Sequence, residues 1–153
     1  MNHENLTGPQ LFLRFAWPCA SYRLMMGKIT QAQYDELEKL VKSETEPDIA
    51  LLMACFPNAV ADLREYAINE RRLHDLWSLT TVLGYWRVHK GMEAGCETVK
   101  CTVSRCPQNG LDVTASSGGE SFRALNPYKL RLYQDDKVLV HQRCVIIKDM
   151  SPV

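Results

Sequence analysis

Charge of one sign is not in excess in this chain: 18 Lys and Arg face 18 Asp and Glu, for a formal net charge of +0. That balance withholds the field on which a general nucleic-acid or anionic-membrane binder relies. No uncharged apolar run is long enough to span a bilayer, and residues 1–13 lack the basic, apolar and small-residue succession of a secretory leader. A cytoplasmic protein with no membrane partner is therefore expected. Catalytic signatures are missing too. Ser117-Gly118-Gly119 is not followed by the lysine and helix of a phosphate loop, and there is no G-x-S-x-G elbow or H-E-x-x-H helix. The acidic pairs Asp35-Glu36 and Asp135-Asp136 are adjacent in sequence, so on a helix or turn they diverge rather than converge on one bond. A non-enzymatic protein is expected. None of the six cysteines forms a C-x-x-C pair. Without a leader, free thiols or ligands are expected rather than disulfides.

What is present divides near Gly91. Residues 7–90 carry a helical period and residues from Cys96 onward alternate, with Gly, Asn and Asp at the breaks. The expected fold is α+β: a helical domain over 1–91, then a small five-stranded β-barrel over 92–153, of the OB or HypC type.

In the first half, Gly8-Pro9 starts a helix that Pro18 ends or kinks. Thr30 and Gln33 form a capping box, ahead of Tyr34, Leu37, Leu40 and Val41 on one face. Pro47 reads as a first helical position before Ile49, Leu52, Met53 and Phe56, and Pro57 as that helix's end. Residues 73–89 read as one helix with a stripe of Leu73, Leu76, Leu79, Leu83 and Trp86, while Trp77, Val82 and Tyr85 occupy other faces. Such a helix is either central to the bundle or presents Trp77, Tyr85 and Trp86 as aromatic anchors to a protein partner.

In the second half, Val99, Cys101 and Val103 share one strand face, and Gln108-Asn109-Gly110 supplies a hairpin turn. The return strand buries Leu111, Val113 and Ala115. Gly118-Gly119 breaks to a strand from Phe122, a further strand carries Leu130 and Leu132, and residues 135–147 form the last. Five short strands suggest a closed or half-closed barrel that removes its own edges.

Cys96, Cys101 and Cys106 recur every five residues, which invites a metal reading. In an extended strand the odd spacing turns Cys101 away from the other two, and Cys96 and Cys106 lie about 33 Å apart, far beyond the convergence a tetrahedral site needs. Cys101 is expected in the core, Cys106-Pro107 at the strand end, and Cys96 at a strand mouth where it could do chemistry. Cys19, Cys55 and Cys144 read as packing. His141 interrupts the apolar run of the last strand. It is either an outer-face histidine or a metal ligand or pH-sensitive contact.

The segment Asp135-Asp136-Lys137-Val138-Leu139-Val140-His141, followed by Val145-Ile146-Ile147, resembles the histidine strand of the HypC/HybG-type chaperones of nickel-iron hydrogenase maturation. Cys96, Val99, Val103, Asn109-Gly110, Val113 and His141 follow in that family's order. The resemblance implies an iron centre carried transiently between Cys96 and His141, a pairing of thiolate and neutral imidazole suited to low-spin iron. In this chain the cysteine is internal, and Gln142-Arg143-Cys144 replaces the glycine after the histidine.

The expected function is thus a non-enzymatic accessory or assembly protein that docks on a metalloenzyme subunit or maturation factor. Two other readings stand beside it. One is a plain interaction module without metal. The other is a single-stranded nucleic-acid barrel using Phe122, Arg123, Tyr128, Lys129, Arg131 and Tyr133, disfavoured by the balanced charge.

Overall fold

The computed structural model describes residues 6–89, 97–105 and 112–149, excepting the side chains of 112–116. The expected boundary at Gly91–Gly95, the turn at Gln108–Gly110, Leu111 and the side chains of Val113 and Ala115 lie outside that description.

Local chemistry sets the helices. Thr7 caps α1 (Gly8–Ala16) with a full capping box: Gln10 N–H donates to the Thr7 hydroxyl at 3.2 Å, and Thr7 N–H donates to the Gln10 side-chain oxygen at 2.9 Å. Pro18 then turns the chain through a single 3-10 turn, Trp17–Cys19, into α2 (Ala20–Met25). Thr30 and Gln33 repeat the capping box at the start of α3 (Gln31–Ser43), which ends on Glu44 at φ 54°. Asp48, not Pro47, begins α4 (Ile49–Cys55), its carboxylate accepting from Ala50 N–H at 3.0 Å. Met53 is exposed and Cys55 takes the core position instead. Pro57 opens α5 (Pro57–Asn69), where its missing N–H costs nothing.

The single helix expected over 73–89 does not form. A 3-10 turn, Leu73–Asp75, is followed by α6 (Leu79–Val88), which Ser78 starts by accepting from Thr81 N–H at 3.2 Å. Leu73 is 51% exposed and so drops out of the stripe.

Among the described residues five strands follow: β1 (Thr98–Arg105), β2 (Asp112–Ser117), β3 (Glu120–Leu125), β4 (Lys137–His141) and β5 (Cys144–Lys148). The mixed helix-and-sheet class is as expected, but the strand list is not. The segment around Leu130 and Leu132 is buried without being a strand, held by Asn126, whose side chain donates to Leu130 O at 2.9 Å and accepts from Leu130 N–H at 3.1 Å. The long last strand is instead a hairpin, β4 and β5, reversed at Gln142 (φ 52°) and Arg143 (φ 61°). Neither residue is a usual former of such a turn.

Hydrogen bonding runs in the order β1-β2-β3-β5-β4, with β4 antiparallel to β1. Closure is slight, because β3 and β5 meet through one parallel pair, Leu125 and Cys144. The closed or half-closed five-stranded barrel expected from the sequence is thus met only in part: the strands form an antiparallel ladder, β3-β2-β1-β4-β5, whose outer strands touch at one point.

Alternation along β4 serves two cores. Val138 and Val140 face the interior of the curled sheet with Cys101, Val103, Ala124 and Val145. Leu139 packs outward against the helices, together with Ile146 and Ile147 of β5. A bulge, where the pairing passes from Leu139–Ile147 to Val140–Val145, lets two successive isoleucines join the helical core. Polar ties reinforce this seam. Arg87 reaches Asp149 at 2.9 Å, and the Tyr128 hydroxyl donates to Arg14 O at 3.0 Å while the Arg14 guanidinium lies 4.5 Å from the Tyr128 ring.

Candidate functional site

His141 ends β4 on its helix-facing side, two residues after Leu139. It is wholly buried. Three elements converge on its ring. From the 3-10 turn after α1, the Cys19 sulfur approaches Nε2 at 3.2 Å. From β1, Thr98, its direct cross-strand neighbour, places a hydroxyl 3.2 Å from Nδ1. From α6, Trp86 packs edge-on with centroids 5.4 Å apart, and His89 lies roughly parallel at 6.0 Å.

Cys19 is disulfide-bonded, to a partner outside the described residues. Its sulfur carries no proton, so Nε2–H donates to it and Nδ1 accepts from the Thr98 hydroxyl. Gln142, in the β4–β5 turn, places its amide nitrogen 3.8 Å from the same sulfur. This tautomer is neutral. Burial, aided by the neighbouring His89, pushes the His141 pKa down to about 3, so the ring stays uncharged through the ordinary pH range.

The adjoining groups are equally enclosed. The Tyr85 hydroxyl lies 2.7 Å from His89 Nδ1, one helical turn on, and burial together with the Asp62 charge raises its pKa. Burial also pushes the thiols of Cys55, Cys101 and Cys144 up, with Cys101 reaching about 11. Such thiols stay protonated and are poor nucleophiles.

Of the residues singled out from sequence, Cys96 lies outside the described residues. His141 is not on a surface but at the junction of helices and sheet. Tyr85 (3% exposed) and Trp86 (0%) are core residues, and Trp77 is half-buried with its ring 5.3 Å from Phe12. Phe15 stacks on Trp86 at 4.9 Å. An anchor must be exposed to reach a partner, so the surface-anchor reading of Tyr85 and Trp86 is corrected to packing. The site residues that sequence reasoning missed are Cys19, read as packing, and Thr98, His89 and their contacts. No local signal ties residues that lie 122 positions apart.

The implied iron does not fit His141 as placed. Both ring nitrogens already hold hydrogen-bond partners, the ring is sealed from solvent, and the nearest sulfur is bound in a disulfide rather than available as a thiolate. Among the described residues no three His, Cys, Asp or Glu side chains converge. Cys19 also departs from the expectation of free thiols, and with it goes part of the argument for a cytoplasmic setting. No helix among the described residues is long and apolar enough to cross a membrane.

A separate concavity of about 370 Å³ opens at one end of the sheet. Val99, Phe122 and Val140 give it an apolar floor, and Glu97, Glu120 and Arg143 stand around it. The Arg143 guanidinium sits 6.0 Å from the Phe122 ring. Compared with family models, curated proteins and solved structures, the chain finds no match.

Proposed function

We propose that the protein is a non-enzymatic accessory or assembly protein that works by docking on a larger protein. The partner class implied by the likeness to the HypC/HybG-type chaperones is a metalloenzyme subunit or a maturation factor. The strand order β1-β2-β3-β5-β4, with its loosely joined outer strands, supports an OB-type barrel, whose ligands lie against the middle strands and the turn between the last two. The observation that carries the reading is the concavity in that region, which is bordered by β3 and the Gln142–Arg143 turn.

Its lining decides between partner classes. Two carboxylates, Glu97 and Glu120, against one cation, Arg143, repel a phosphate backbone and favour an apolar side chain flanked by a positive charge. This favours protein over single-stranded nucleic acid. The reading gives no metal to His141, which is committed to the core.

The test is fluorescence anisotropy with two labelled probes: a panel of short peptides pairing Leu or Phe with Lys, and oligo(dT). The reading requires that some peptides bind, that the E97K/E120K variant loses them, and that oligo(dT) stays free. Salt-sensitive binding of oligo(dT) with inert peptides would replace it by the nucleic-acid reading. Binding unchanged in E97K/E120K, or none at all, would remove the concavity as a docking site.

A further inference from the structure

Arg14, in the last turn of α1, is a charged side chain that lacks a matching partner. It is only 9% exposed, and burial pulls its pKa below the ordinary arginine value. A guanidinium presents five N–H donors in a planar fork that fits two carboxylate oxygens at about 2.7–2.9 Å. Among the described residues its polar contacts are one hydrogen bond to Ile146 O, at the limiting distance of 3.5 Å, and one approach to the Glu44 carboxylate at 3.9 Å. That carboxylate is 73% exposed, so water screens it and the pairing contributes little. The Tyr128 ring, 4.5 Å from the guanidinium carbon, covers a face of the plane rather than the donors at its edge.

Arg14 lines a recess of about 380 Å³ with Gln10, Glu44 and Lys129, a size suited to a small molecule. A narrower space of about 30 Å³ adjoins it, sharing Arg14, Glu44 and Tyr128 and walled further by Leu13, Leu40 and Val41. By the measure in which one water needs roughly 10–15 Å³, this inner space takes a short aliphatic group and not a long chain. The walls are set in advance. The Gln10 amide donates to Glu44 O at 2.6 Å, tying α1 to the end of α3, and Lys129 N–H closes a turn by donating to Asn126 O at 3.1 Å.

We propose that this recess binds a small free organic carboxylate with a short branched apolar tail, anchored by Arg14. The ligand's two oxygens take the guanidinium fork in place of Glu44, whose side chain turns out into water. Lys129 adds a second positive charge at the rim, and the tail enters the space beside Leu13, Leu40 and Val41. The site is separate from the concavity assigned to protein docking, with which it shares no lining residue.

The experiment is saturation-transfer NMR on the full chain with three probes, isovalerate, isopentylamine and the peptide N-acetyl-Gly-Gly-Leu, each titrated for its dissociation constant. Isovalerate should receive saturation at its methyls, while isopentylamine, with the same tail and the opposite charge, should receive none. The R14Q variant should bind isovalerate about tenfold or more weakly, the loss expected for hydrogen bonds to a charged group. The E44Q variant tests the site without touching a buried residue. It removes the internal competitor for Arg14 and should bind isovalerate more tightly. No binding of isovalerate, equal binding of the amine, an unchanged constant in R14Q or a weaker one in E44Q would overturn the proposal. Tighter binding of the peptide than of isovalerate would also overturn it, by giving the site to a chain end instead of a free acid.

Discussion

Nε2 of His141 and Sγ of Cys19 lie 3.2 Å apart, although 122 residues separate them in sequence. The contact joins the turn that Pro18 makes after α1 to the last residue of β4, and it exists only because the helices cover the outer face of that strand. Thr98 fixes the other ring nitrogen. His89, Trp86 and Tyr85 close the surroundings from α6.

A pH dependence follows from this enclosure. The folded pKa of about 3 lies below the ordinary value of 6.5, so between those limits the unfolded chain binds a proton that the folded chain refuses. The stabilisation is complete above about pH 6.5 and is lost as pH falls toward 3, with a magnitude on the order of a few kcal/mol. Melting temperatures of wild type and His141→Gln across pH 3 to 8 check this. The wild type should fall more steeply below pH 6.5, and parallel profiles would show that the ring is not held neutral.

Trp86 is the largest fully buried side chain, packed on Phe12, Phe15, Tyr85 and His141. Trp86→Ala should cost about 3–5 kcal/mol, the range for an aromatic removed from a closed core. Half-buried Trp77 should cost less. Denaturant midpoints measure both. A Trp86→Ala variant as stable as wild type would return that side chain to the surface-anchor reading.

Features encoded within a few residues were legible in the sequence. Both halves of the Thr30–Gln33 capping box form, and Gly118 and Gly119 take positive φ at the β2–β3 turn. Errors arose where a local signal was weak or overridden. Ser78 caps α6, but the leucine spacing across 73–89 masked the break. The β4–β5 turn uses Gln142 and Arg143, which carry no turn signature, so the hairpin read as one strand. The Cys19–His141–Thr98 cluster was illegible in principle from local pattern, because its members come from three elements that only tertiary packing unites.

The β4–β5 turn holds Arg143 at φ 61°, a conformation costing roughly 1–2 kcal/mol for a side chain with Cβ. Arg143→Gly removes that strain and forfeits a long cation–π contact with Phe122, 6.0 Å from the ring, worth about 0.5 kcal/mol at an exposed site. Relief of the strain outweighs loss of the contact, so the variant should be more stable by about 0.5–1.5 kcal/mol. A lower denaturant midpoint would mean that the guanidinium contributes more at the concavity than its distance suggests.

Gly8 offers the sharpest test of how α1 meets α6. It is the first residue of α1, and a Cβ built there would run into the backbone carbonyl of Trp77, just before the Ser78 cap. Ala normally gains up to about 1 kcal/mol over Gly in a helix. Here the obstacle is main chain, which cannot swing aside, and overpacking of this kind costs about 1–3 kcal/mol. Gly8→Ala should therefore be destabilising. Gly84 is the control, since its Cβ would meet the Tyr66 hydroxyl and the ring carbons beside it, the far end of a side chain rather than main chain. Gly84→Ala should cost less than Gly8→Ala, because the helical gain is kept while the obstacle gives way. Equal denaturant midpoints for the two variants would indicate that the approach of α1 to Trp77 is looser than the described packing requires.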